Sequence, residues 1–166
     1  MQILTRNEAT DRAAHLHVSA IDVVVDIRGA QDTTIPTYPV TSTLTMTSDE
    51  ERTFIDIVGD VTEVLLNGAP HPFEDDEDRV WVGGLPVGEP ITLQVRALAR
   101  YSRSGEGLHR YTDPEDGEVY LYTQFEPNDA HRAWPCIDQP DVKPEWTFHV
   151  IAPAGWVVSS NGIETG

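Results

Sequence analysis

Hydrophobic and polar residues alternate along most of this chain with the period of a strand rather than a helix. In YPVTSTLTMTS (38–48), Val40, Ser42, Leu44 and Met46 fall on one side and threonines on the other, the pattern of a half-buried strand. HVSAIDVVVDIRG (17–29) is a longer β-branched run that ends at Gly29. Similar runs recur in RTFIDIVG (52–59), VTEVLLNG (61–68), RVWVG (79–83), EPITLQVRALARY (89–101), EVYLYTQFE (118–126), EWTFHVIAP (145–153) and GWVVSSN (155–161). Asn67-Gly68 is a type I′ hairpin signal. The exception is LTRNEATDRAAHL (4–16), rich in helix formers, which predicts a short helix near 6–14 capped by Thr5 or Asn7, with Glu8 and Asp11 early in it.

These segments add up to about nine or ten strands and one short helix, joined by Gly-, Pro- and Asp-rich turns. Strands do not alternate with helices, which argues against a parallel α/β sheet. The predicted class is all-β, mostly antiparallel, as a sandwich or a large curved sheet. No internal repeat of fixed period is visible, and the chain reaches Gly166 without a concluding element, so the expectation is one domain, 1–166, of something longer.

Composition narrows the partners. The formal net charge is −17 over 166 residues, which disfavours a nucleic-acid backbone or an anionic membrane as partner. No apolar run approaches the roughly 18 residues of a membrane span, and the N-terminus lacks a signal-peptide core, so the expected location is the cytoplasm. Cys136 is the only cysteine, which excludes an internal disulfide and a cysteine-rich zinc site; packing is a better reading of it than reactivity.

Most candidate chemistry reads as ordinary surface. EDDED (74–78) lacks the alternating oxygens and glycine of a calcium loop and reads as a solvated turn, and TDPEDGE (112–118) as a connection between strands. His15 and His17 could chelate a metal, but no third ligand is indicated, and neither H-E-x-x-H nor C-x-x-C occurs; no metal site is expected within the chain.

The stretch YTQFEPNDAHRAWPCIDQPDVKPEWTFHVIAP (122–153) stands apart, dense in Pro, Trp, Asp and Arg where a sheet protein needs only a turn. On a strand, Gln124 and Glu126 share one face, roughly 7 Å apart. Glu126-Pro127 is an X–Pro bond, in which the cis form costs little. Arg132 could brace the loop by pairing with Asp138 or Asp129. The plainer reading is a strand end whose polar groups meet solvent.

This stretch, together with YSRSGEGLHRYTDPEDGEVYLYTQFE (101–126) and the opening LTRNEATDRAAHL, resembles the N-terminal domain of the aminopeptidase N family, zinc metallopeptidases of the gluzincin type, in its bacterial branch. The centre of the resemblance is T-Q-F-E-P followed by P-C-I-D-Q-P. It implies a saddle-shaped all-β domain packed on a thermolysin-like catalytic domain. That second domain carries the zinc-binding H-E-x-x-H and the G-x-M-E-N motif, neither of which occurs here. It also implies that Gln124 lines the pocket for the first side chain, that Glu126 helps bind the substrate α-amine, and that the Glu126–Pro127 bond is often cis. The implied substrates are peptides with a free N-terminus. Zinc belongs to the absent domain, and the isolated chain is expected to be inactive. A competing reading is a stand-alone β-sandwich module for ligand binding or assembly, with Tyr120, Tyr122, Trp134, Trp146 and Trp156 as stacking surfaces.

Overall fold

The computed structural model describes residues 4–164. It opens with helix α1 (Arg6–His15), whose N-terminus is closed by a capping box. The Glu8 N–H donates to Thr5 Oγ1 at 3.3 Å, and the Thr5 N–H donates to Glu8 Oε2 at 2.8 Å. Two donors that the first turn leaves without partners are satisfied in this way. Among the described residues no helix is long and apolar enough to cross a membrane.

The helix runs directly into β1 (Leu16–Asp26), followed by β2 (Thr37–Ser48), β3 (Arg52–Asp56), β4 (Gly59–Leu66) and the two-residue β5 (Ala69–Pro70). Next come β6 (Glu74–Asp76), β7 (Arg79–Gly83), β8 (Ile91–Arg100), β9 (Gly107–Thr112), β10 (Val119–Gln124) and β11 (Glu145–Ile151). They form a six-stranded sheet in the order β11-β1-β2-β8-β4-β5, a three-stranded sheet β3-β7-β6 and the hairpin β10-β9. Every pairing is antiparallel except β1 with β11. The fold is the expected all-β class.

The alternation in the sequence is the alternation of burial. On β2, Tyr38, Val40, Ser42, Leu44 and Met46 are buried; on β8, Ile91, Leu93, Val95, Ala97 and Ala99 are. All of these except Ser42 join Ile55, Val80 and Val82 of the three-stranded sheet in one hydrophobic cluster. Asn67 and Gly68, at φ 50° and 81°, make the two-residue turn between β4 and β5. Gly59 is required for a different reason: a Cβ there would lie 2.7 Å from the Leu98 carbonyl oxygen.

Two expectations change, and one strand goes unanticipated. GWVVSSN forms no strand, although its composition suits one, because among the described residues no neighbouring strand takes up its backbone groups. EDDED is only partly a turn. Glu74–Asp76 pairs with β7 as an edge strand, where charge is tolerated because it faces solvent, and the chain reverses at Glu77, φ 55°. GLHRYT forms β9, with its Arg110 buried over Tyr101 and donating to the carbonyls of Ala30, Asp32 and Thr33.

Candidate functional site

Strand β10 ends at Gln124, two residues short of Glu126. The alternation persists past the end of pairing: Gln124 and Glu126 are exposed, and Phe125 between them is half-buried. Phe125 meets the buried Trp134 edge-on, ring centroids 5.0 Å apart. The Gln124 amide folds back on the turn, its Oε1 accepting from the Glu126 N–H and its Nε2 reaching the Glu126 carbonyl at 3.5 Å. The Glu126–Pro127 peptide is cis. Among the described residues the Glu126 carboxylate has no ion-pair partner.

Beneath this turn lies an irregular but heavily buried segment. The Asp129 N–H donates to the Phe125 carbonyl at 2.9 Å, and a 3₁₀ turn follows at Ala130–Arg132. Arg132 Nε donates to Asp129 Oδ1 at 2.6 Å. Asp138, the other candidate for Arg132, is taken by His131: the ring Nδ1 donates at 2.7 Å and the backbone N–H at 3.2 Å to the same Oδ2. Gly107, at the start of β9 with φ 67°, lets the hairpin approach this turn, since a Cβ there would stand 2.8 Å from the Arg132 Cβ.

The segment is tied to the rest of the domain through Asp56. Asp56 and Cys136 exchange two backbone hydrogen bonds, and Asp56 Oδ2 accepts from the Asp138 N–H at 3.0 Å and from Arg12 Nη1 at 2.8 Å. Arg12 Nε donates to Gln139 Oε1 at 3.0 Å, and Gln139 Nε2 donates to the Ala9 carbonyl at 2.7 Å. Helix α1 is therefore bolted to the segment that carries Glu126. Arg12, Asp56 and Gln139 lie far apart in sequence, and no local pattern marked them. Rigid support of this kind holds an exposed group at a fixed place without ordering it at the moment of binding.

The remaining candidates are dispersed. His15 Nε2 lies 3.8 Å from Glu50 and 3.9 Å from Asp11, and His17 Nε2 lies 3.8 Å from Asp49. No group of three or more His, Cys, Asp or Glu side chains converges among the described residues, so these residues do not fit a zinc ion. Cys136 is fully buried, and desolvation pushes its thiol well up, away from the reactive thiolate. Tyr120 and Tyr122 are about half exposed; Tyr120 donates to Asp116 Oδ2 at 2.8 Å, and Tyr122 packs on His109.

Comparison with known proteins fits this arrangement. The chain is 41% identical to an aminopeptidase N of Streptomyces lividans over 163 residues, 95% of this chain and 19% of that protein. It is 32% identical over 117 residues to a probable aminopeptidase of Sulfurisphaera tokodaii, covering 70% of this chain and 14% of that protein. The chain thus spans a minor part of the relatives' length. Its fold is similar to that of an M1 zinc metallopeptidase from Deinococcus radiodurans, with a TM-score of 0.71 and 24% identity over 92% of this chain and 36% of that one. A mutant of that enzyme bound to a Tyr-Ser-Ala substrate gives a TM-score of 0.69 at 23% identity, with the same coverage. The Peptidase M1 N-terminal domain family matches residues 73–165, more than half of the chain, and spans both the Gln124–Glu126 turn and the buried segment 127–139 that follows it. The chain belongs to the Peptidase M1 N-terminal domain family.

Proposed function

We propose that this chain is the N-terminal β domain of a zinc aminopeptidase acting on peptides with a free N-terminus, and that Glu126 anchors the substrate α-amine while Gln124 shapes the first subsite. The observation that carries this reading is the Glu126 carboxylate itself, exposed and without a cation of its own domain among the described residues, on a turn fixed from below. A carboxylate already paired with an internal arginine would have nothing left to offer a ligand.

The chemistry suits an exopeptidase. An N-terminal ammonium gives a carboxylate a charge-assisted hydrogen bond that an internal amide cannot match. A site built around that bond rejects ligands lacking the ammonium, because its polar group is then left unpaired. Fixing the amine also fixes which peptide bond lies at the reacting centre. Gln124, bonded to the backbone of Glu126, positions the acid as well as lining the pocket. The described residues hold no set of zinc ligands, so in this reading the metal is bound by another domain of the same polypeptide, and this chain alone is inactive.

The test is steady-state kinetics of the complete protein on an aminoacyl anilide. Glu126→Ala is expected to lower kcat/KM by about a hundredfold or more, the scale of losing one partner of a desolvated charge pair. A variant within about twofold of the parent contradicts the assignment. Gln124→Ala is expected to alter the ranking of first-residue side chains more than the overall rate.

A further inference from the structure

Hairpin β10-β9 has an inner and an outer face. Leu108 and Arg110 are buried, and Leu121 and Phe125 pack against the core, so the hairpin is oriented from within. The alternate positions of β10 face outward. Tyr120, Tyr122 and Gln124 are exposed on one side of the strand, in line with Glu126 just past its end. Across the pair, His109 stands opposite Tyr122 and therefore shares that face. The outer face is a line of rings that leads to the candidate site.

Tyr122 is the ring next to Gln124, and it is held differently from Tyr120. The Tyr120 hydroxyl is tethered to Asp116. Tyr122 is held by its ring instead: His109 packs against it, 4.8 Å between centroids and 40° between planes. His109 is itself fixed, its Nδ1 accepting from the Gly105 N–H at 3.1 Å. Gly105, at φ 105°, brings the backbone beside the hydroxyl end, where a Cβ would stand 3.8 Å from the Tyr122 oxygen. The ring is braced on one side, yet the residue remains 51% exposed. A ring held in advance loses little freedom when a second ring meets it.

Steps of two residues along a strand are about 7 Å. With the α-amine at Glu126 and the first subsite beginning at Gln124, Tyr122 is the next step in the same line, where the end of a long first side chain arrives. The surroundings suit a ring rather than a cation. With Nδ1 accepting, a neutral His109 carries its proton on Nε2 and offers a donor, not an acceptor. We propose that Tyr122, braced by His109, forms the far wall of the first subsite and selects peptides with an aromatic first residue. The proposal rests on the reading of the Gln124–Glu126 turn as a substrate site, and it names the side-chain class which that site takes.

The test is kcat/KM of the complete protein on a phenylalanyl and a leucyl anilide, two bulky substrates of which one carries a ring. Their ratio does not depend on how much of a variant is folded. Tyr122→Leu is expected to lower the phenylalanyl-to-leucyl ratio about threefold to tenfold, the scale of one aromatic pair beyond its buried area. Tyr122→Phe is expected to keep the ratio, because the ring is what acts. A ratio that moves by less than about twofold in Tyr122→Leu overturns the proposal, because one aromatic pair is worth more than that. So does a loss confined to an arginyl anilide, since the ring would then read charge. The result is separable from the Glu126 kinetics, in which Glu126→Ala lowers both substrates alike. Unchanged rates in Glu126→Ala with a shifted ratio in Tyr122→Leu refute the amine reading alone, and the reverse pattern refutes the Tyr122 subsite alone.

Discussion

Segment 127–139 and strand β11 invert the usual association between regular structure and burial. The segment has no strand and a single 3₁₀ turn, yet Asp129, His131, Ala133, Trp134, Cys136, Ile137 and Gln139 are all buried. β11 is a regular seven-residue strand in which every residue is exposed. An irregular backbone can be buried only if its polar groups find partners. Here Asp56 exchanges two backbone bonds with Cys136, His131 and Asp138 satisfy one another, and the Ala133 carbonyl accepts from the Tyr38 hydroxyl at 2.9 Å. β11 needs no such arrangement, because β1 satisfies one edge and solvent can satisfy the other. The turn that presents Glu126 therefore rests on a stiff base, while β11 is left open.

The contrast breaks most sharply at Arg12. Its side chain is 3% exposed and that of its partner Asp56 is 10% exposed. Arg12→Ala leaves a buried carboxylate without its cation and is expected to cost about 4 kcal/mol in urea unfolding. A loss below about 1 kcal/mol would mean that the pair behaves like a surface bridge. Trp134→Ala, at the contact between the two regions, is expected to cost about 3 kcal/mol through the cavity it leaves. Phe148→Ala, on the open side, is expected to cost only about 1 kcal/mol in this chain, because much of the ring is already in water. Equal losses at Trp134 and Phe148 would erase the distinction between the two regions.

The smallest effect is one of pH. A hydrogen bond from Arg79, then bonds from the Thr5 N–H and hydroxyl, hold the Glu8 carboxyl at about 2 against its ordinary 4.5. A lowered carboxyl stabilises the fold above its unfolded value, so this contribution is complete above about 4.5 and is lost as pH falls toward about 2. Glu8 is partly exposed, so solvent screens much of it. Glu8→Gln is expected to flatten the acid arm of the stability profile in that window and to leave the slope near neutrality unchanged, as followed by urea midpoints.

Elements set by local pattern were legible in the sequence. Thr5 and Glu8 mark α1, the alternation in β2 and β8 marks the sheet, and Asn67-Gly68 marks the hairpin. What escaped depends on distant partners. β9 was hidden because Arg110 reads as a surface residue, whereas it is buried against a ring and three carbonyls. GWVVSSN has the composition of a strand, but it finds no neighbour to pair with among the described residues. At the candidate site, Gln124 and Glu126 were visible as an amide and an acid two residues apart. The Arg12–Asp56–Asp138–His131 support was not, since it joins segments 44 and 82 residues apart. The open face of β11 was likewise invisible, because periodicity identifies an apolar face and not whether anything covers it.

The most direct measurement of the central claim is a coupling cycle between Glu126 and a ligand ammonium. The complete protein and its Glu126→Gln variant are each titrated with a peptide inhibitor and with its counterpart lacking the α-amine. The account predicts that the parent prefers the amine-bearing ligand and that the variant loses most of this preference, a coupling of about 2 kcal/mol or more. A preference that survives intact in Glu126→Gln would contradict it, because the amine would then be read by some other group.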